Sequence, residues 1–221
     1  MVMKKRRGQM LMNPKFLRGV ALSVVSSVAF AAGTSGVWAA DLAVPKHSHC
    51  VAWKTNKTLA LVKRATAVGT SCQVTLKAIK KGNKLGAEMQ VPIASFDSKE
   101  KQRDQEVLKI LEAAKQPNII FKTALLTEAD WKKMLGKGSG PVQGVLYVGK
   151  RSYPMRFLAS VNQVGKDVVV SGKVVTKFTD LGIQPPVVGP GGSIAKVDDY
   201  LELHFSFNSK QLQNKGVVPG L

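Results

Sequence analysis

Cys50 and Cys72 are the only thiols in the 221-residue chain, and Cys50 closes the run His47-Ser48-His49-Cys50. Three readings stand side by side. The cysteines form a disulfide, the ordinary fate of two thiols in an oxidising compartment. Alternatively, His47, His49 and Cys50 ligate zinc or copper, or both thiols stay free. A bridge over a loop of this length is worth roughly 3 kcal/mol in the chain-entropy model. There is no Cys-x-x-Cys, so neither a thioredoxin-type site nor covalent haem is indicated. Catalytic groupings are equally sparse. The chain has no Gly-x-Ser-x-Gly elbow, and Gly136-Lys137-Gly138-Ser139-Gly140 lacks the frame of a phosphate-binding loop and reads as a helix exit. The carboxylates are too scattered to nominate an acid/base pair. Asp97, Arg103 and Asp104 gather where a helix should begin, which suits capping and a local ion pair. The pattern predicts a binding protein without catalytic residues or a cofactor, not an enzyme.

The oxidising compartment follows from the first forty residues. Lys4, Lys5, Arg6, Arg7, Lys15 and Arg18 precede the uncharged stretch Gly19 to Ala32, and small residues lead to Val37-Trp38-Ala39-Ala40. A basic region, a short apolar run and a small-residue exit describe a secretory signal peptide over 1–40. The apolar run is short for ~30 Å of hydrocarbon. Residues 41–221 are then one domain exported to a periplasm.

The net charge of +19 divides unevenly. Six basic residues belong to the signal region. From Leu42 to Ala87 nine more (Lys46, Lys54, Lys57, Lys63, Arg64, Lys77, Lys80, Lys81, Lys84) face no acid, whereas from Glu88 onward 18 basic residues face 13 acidic ones. Export removes nucleic acid as a partner. The basic segment is either a set of solvated strand edges, with Lys opposing edge-to-edge pairing, or a footprint for an anionic membrane surface, pyrophosphate or an acidic partner.

The elements that would position any site are mostly strands. Leu59 to Ala65, Gln73 to Ile79 and Glu88 to Ile93 have strand composition with basic turns between them. Asp97-Ser98-Lys99-Glu100 is a capping-box variant, and Val107, Leu108, Leu111 and Ala114 recur at helical spacing, predicting an amphipathic helix over 98–114. Ile119, Phe121, Thr123 and Leu125 alternate as a strand. Thr127 begins a short second helix through Leu135. Val142 to Gly149, Met155 to Gln163 and Asp167 to Phe178 follow as strands. In a final strand, Val197, Asp199, Leu201, Leu203, Phe205 and Phe207 share one face, and Asp198, Tyr200, Glu202, His204 and Ser206 the other, which makes His204 a solvated surface histidine. Many short strands with even turn signals indicate a sandwich or barrel. A barrel of about eight strands can hold one small ligand.

An ordered set of motifs then resembles the YceI-like family. It comprises Ser95-Phe96-Asp97-Ser98, Arg103-Asp104, Pro117-x-Ile119-x-Phe121, the Gly144-Val145-Leu146 strand with its turn to Pro154, Asp180-Leu181-Gly182-Ile183, and Val197-Asp198-Asp199-x-Leu201-x-Leu203. The segment Cys50 to Gly86 departs from the family, being short, basic and cysteine-bearing where members have a longer hydrophobic strand pair. Phe178 also stands where many members carry a polar or basic residue. The resemblance implies a mainly β fold, a lipocalin-like antiparallel β-barrel with one amphipathic and one short helix. It also implies a periplasmic carrier of an amphipathic lipid such as a quinone or prenyl pyrophosphate. Ile119, Phe121, Leu146, Phe157, Phe178, Leu203 and Phe205 are then expected to line an apolar lumen, with Arg103 and Asp104 near the headgroup. The rival expectation is a stress-related protein whose basic strands bind an anionic membrane, cell-wall polymer or acidic partner without internal lipid.

Overall fold

Residues 48–60 and 62–212 are described in a computed structural model; residues 1–47, with the expected signal peptide and His47, residue 61 and residues 213–221 lie outside the described residues. Among the described residues, twelve strands and two α-helices follow one another. The strands are β1 (Cys50–Leu59), β2 (Lys63–Ser71), β3 (Thr75–Lys81), β4 (Lys84–Pro92), β5 (Asn118–Thr123), β6 (Leu126–Thr127), β7 (Ser139–Val148), β8 (Arg151–Val164), β9 (Asp167–Thr176), β10 (Val187–Val188), β11 (Ala195–Val197) and β12 (Leu201–Asn208). Helix α1 (Lys101–Ile110) lies between β4 and β5, and α2 (Glu128–Lys137) between β6 and β7. All pairings are antiparallel, in the order β10-β11-β1-β12-β9-β8-β7-β5-β4-β3, with β2 on the free edge of β1 and β6 on β4.

The expected barrel of about eight strands is corrected in two respects. The sheet has 12 strands, three of them only two or three residues long. It is also not closed by a continuous ladder, because the edge strands β2 and β3 do not pair. The sheet curls far enough, however, for β2 to meet the segment after β4. Thr70 and Asp97 exchange backbone hydrogen bonds of 3.0 and 2.9 Å, and the Ser71 and Ser95 hydroxyls lie 2.6 Å apart.

Local sequence accounts for most boundaries. Helix α2 opens with a capping box, in which Asp130 N–H donates to Thr127 Oγ1 and Thr127 N–H donates to Asp130 Oδ2, and it ends at Gly138 with φ 68°. The box expected for α1 does not form. Glu100 is its N-cap without a side-chain bond, the helix is shorter than 98–114, and Asp97 is drawn into the bridge to Thr70. The strand expected over Leu59 to Ala65 is not continuous: β1 ends at Leu59 and β2 begins at Lys63. Ala60 adopts φ 45°, and two long strands flank it. The run Leu59-Ala60-Leu61-Val62 contains no Gly, Pro or Asn to announce that reversal. The last expected strand is likewise broken at Asp198–Tyr200, where the Asp199 carboxylate leaves the ladder to accept from Thr179 N–H at 3.0 Å and Thr179 Oγ1 at 2.6 Å.

Candidate functional site

The antiparallel register decides which side chains share the concave face. Phe205 lies opposite Val51 on β1 and Gly172 on β9. Leu203 lies opposite Trp53 and Val174. Phe157 faces Val142 across β7–β8, while Phe121 faces Leu146 and Met89. Ile119, Phe121, Leu146, Phe157, Leu203 and Phe205 therefore project from one face, joined by Trp53, Val142, Ala159 and Val161.

These residues form two apolar clusters that share Phe121. One collects Met134 of α2 with Val142, Ala159 and Val161, against which Phe121, Phe157 and Phe205 pack. The other collects Leu146, Leu181 and Leu201 with Trp53, Ile119, Phe178 and Leu203. Phe178 reaches this face differently than expected. β9 ends at Thr176, and Phe178 opens a 3-10 turn, Thr179–Leu181, that packs over the end of the interior. That turn is tied to β8 by Tyr153 Oη donating to the Leu181 carbonyl and Arg151 Nη1 donating to the Gly182 carbonyl at 2.5 Å.

Aromatic rings run across the inner face. The Phe121 and Phe157 centroids are 5.8 Å apart, Phe157 and Phe205 5.1 Å, and Phe205 and Phe207 5.5 Å. Glycines make room for them. A Cβ on Gly144 would sit 2.6 Å from the Phe121 ring, one on Gly172 2.9 Å from Phe205, and one on Gly69 2.5 Å from Trp53. No described Phe, Tyr or Trp is fully buried; each keeps part of its surface accessible.

Trp53 was not anticipated as part of this face. It stands in a basic segment that sequence periodicity did not resolve, and its indole Nε1–H is buried without an acceptor. The alternation of Val51, Trp53 and Thr55 was the available signal.

Arg103 and Asp104, expected near a headgroup, serve the turn before α1. Asp104 Oδ1 accepts from Ser98 N–H at 3.0 Å and Ser98 Oγ at 2.5 Å. Arg103 Nη2 donates to the Ser98 carbonyl at 2.6 Å and Nη1 pairs with Glu100 at 2.8 Å.

Cys50 and Cys72 form a disulfide. That removes the thiolate from the metal alternative, and His47 lies outside the described residues. His49 is buried, its Nδ1 accepts from Asn208 N–H at 3.2 Å, and burial pushes its imidazole below the usual range. Among the described residues no cluster of three His, Cys, Asp or Glu side chains has metal-binding geometry.

The opposite face of β12 is not the solvated surface expected. His204 is buried, and the second face of β12 carries an ionic network. Glu202 accepts from His204 Nε2 at 2.8 Å, from Lys54 Nζ at 3.3 Å and from Tyr200 Oη. Burial alone would raise the Glu202 carboxyl, but its three donors outweigh that and hold it down at about 2. The hydrogen bond to Glu202, with burial, pushes the Tyr200 phenol up to about 12.

A curled antiparallel sheet with rings on its concave face belongs to the β-barrel-like class. More narrowly, the chain belongs to the YceI-like family, whose domain model matches residues 38–209. BcnA of Burkholderia cenocepacia has the same fold, with a TM-score of 0.53 at 17% identity over 72% of this chain and 95% of that one. A YceI protein of Campylobacter jejuni gives a TM-score of 0.48 at 15% identity over 63% of this chain and 82% of that one. A polyisoprenoid-binding domain from Saccharophagus degradans gives 0.48 at 10% identity, over 72% and 92%. No curated protein matches the chain.

Proposed function

We propose that this is a periplasmic carrier that holds an amphipathic lipid of the isoprenoid class, a quinone or prenyl pyrophosphate, with its chain along the concave face of the sheet. One observation carries the reading: Phe121, Phe157, Phe205 and Trp53 line the interior yet none is fully buried. Apolar surface left accessible inside a fold is surface that a chain can cover, at ~25 cal/mol per Å² removed from water. Large rings with few polar neighbours suit a methyl-branched hydrocarbon. Trp53 Nε1–H supplies a buried donor lacking an acceptor, which a carbonyl or phosphate oxygen satisfies.

Ile119, Leu146 and Leu203 extend the apolar lining, and Phe178 covers its end from the 3-10 turn. Arg103 and Asp104 hold the start of α1. Extraction of the purified protein with organic solvent, followed by mass spectrometry, tests the proposal. An isoprenoid lipid near one equivalent is expected. Protein that carries no lipid and takes none up from quinone-loaded vesicles contradicts it.

A further inference from the structure

Four of the seven large apolar residues most exposed on the described surface gather at one end of the sheet: Val62 (84% exposed), Val187 (59%), Val188 (50%) and Ile194 (61%). They come from two segments held together by backbone bonds. β1 runs past the part paired with β12, and its last three residues pair with β11, Leu59 opposite Ala195. Ala60 N–H donates to the Ile194 carbonyl at 3.0 Å, Ile194 N–H to Val188 at 3.0 Å and Val197 N–H to Pro186 at 3.0 Å. Val188 lies opposite Ala195 across β10–β11. The apolar side chains thus stand on a braced framework stiffened by Pro185, Pro186 and Pro190.

Three cations lie beside them in register. Arg64 and Lys196 both flank Thr58 in register, and Lys63 lies opposite Leu59. Lys63, Arg64 and Lys196 are exposed and form no ion pair with any described residue. No acid occurs between residues 57 and 67 or between 183 and 197. Valine and isoleucine beside lysine and arginine match acyl chains beneath anionic headgroups. The tip contains no aromatic side chain, so it offers no platform for stacking on bases.

We propose that the joined tips of the β1–β2 hairpin and the β10–β11 tongue form a docking finger for an anionic lipid bilayer, which inserts Val62, Val187, Val188 and Ile194 among the headgroups and upper acyl chains. The tongue follows directly on the Phe178–Ile183 segment that packs over the end of the interior. Docking therefore brings that end to the membrane, where, if the carrier reading holds, lipid is exchanged.

The test is co-sedimentation of the purified protein with phosphatidylcholine vesicles with and without about one-third phosphatidylglycerol. Binding is expected only with phosphatidylglycerol and weakens as salt rises. The variant Arg64→Ser/Lys196→Ser should bind roughly 25-fold more weakly, near fivefold per cation. The variant Val187→Ser/Val188→Ser/Ile194→Ser should lose binding by tenfold or more, at ~25 cal/mol per Å² of apolar surface. These positions are exposed, so folding is preserved, and an intact far-UV spectrum checks it. In Ile194→Trp, brominated acyl chains should quench the added fluorescence. Variants that bind as the parent does, or an Ile194→Trp signal that brominated lipid leaves unchanged, overturn the finger. Extractable lipid reports separately on the interior: a parent protein that docks but never carries lipid counts against the carrier reading alone.

Discussion

Phe157 on β8 and Phe205 on β12 bring their ring centroids within 5.1 Å although β9 runs between their strands. The contact exists because β9 presents Gly172 directly opposite Phe205, leaving nothing between the two rings. Any side chain at 172 displaces Phe205. Gly172→Val should destabilise the fold by about 1–3 kcal/mol through overpacking and reduce the lipid recovered per mole of protein. Thermal unfolding and lipid extraction on the same preparation check both. Unchanged stability with unchanged lipid would show that this side of the sheet is free to adjust.

Trp53→Phe keeps an aromatic ring on the inner face and removes the unpartnered N–H. One hydrogen bond to a ligand is worth about 0.5–1.5 kcal/mol, up to roughly tenfold in affinity. Binding of a quinone should weaken within that range while binding of a headless isoprenoid hydrocarbon stays the same. Titration of delipidated protein with both compounds separates a donor from a mere wall: equal losses for both would assign Trp53 to packing only.

The Glu202 network predicts a pH limit on stability. Glu202 is held down at about 2 in the folded protein, so its stabilisation is present above the ordinary carboxylate pKa and is lost as pH falls from about 4.5 toward 2. The contribution is on the order of a few kcal/mol. Glu202→Gln should lower stability at neutral pH and flatten the acid limb of a denaturation profile measured between about pH 5 and pH 2. A parallel profile for the variant would mean that other carboxylates set the acid limit.

The Cys50–Cys72 bridge anchors the start of β1 beside the end of β2. Cys50→Ser/Cys72→Ser should cost about 3 kcal/mol, and a reductant should lower the midpoint of the parent but not of the variant. Equal response of both proteins to the reductant would remove the bridge as the cause.

The sequence made one face of the site legible and hid the rest. Period-2 alternation placed Leu203 and Phe205 together on β12, and likewise Ile119 and Phe121 on β5, because alternation survives wherever one face is apolar. His204 was misjudged on the same rule. Alternation says which residues share a face, but not whether a polar face is wet, and in a central strand Lys54, Tyr200 and His204 supply the partners that water would otherwise provide. Trp53 was missed because lysines around it mask the pattern of β1, and the turn at Ala60 carries no turn residue. The pairing of Gly144 with Phe121 and of Gly172 with Phe205 depends on register across strands distant in sequence, which no local window contains.

A lipid site and a packed core differ in what fills the concave face. A crystal structure of the protein purified without detergent or added lipid distinguishes them most directly. Continuous elongated density along Phe121, Phe157 and Phe205, with a polar end at Trp53 Nε1, is expected. Rings closed on one another in an empty, dry interior would contradict the lipid site.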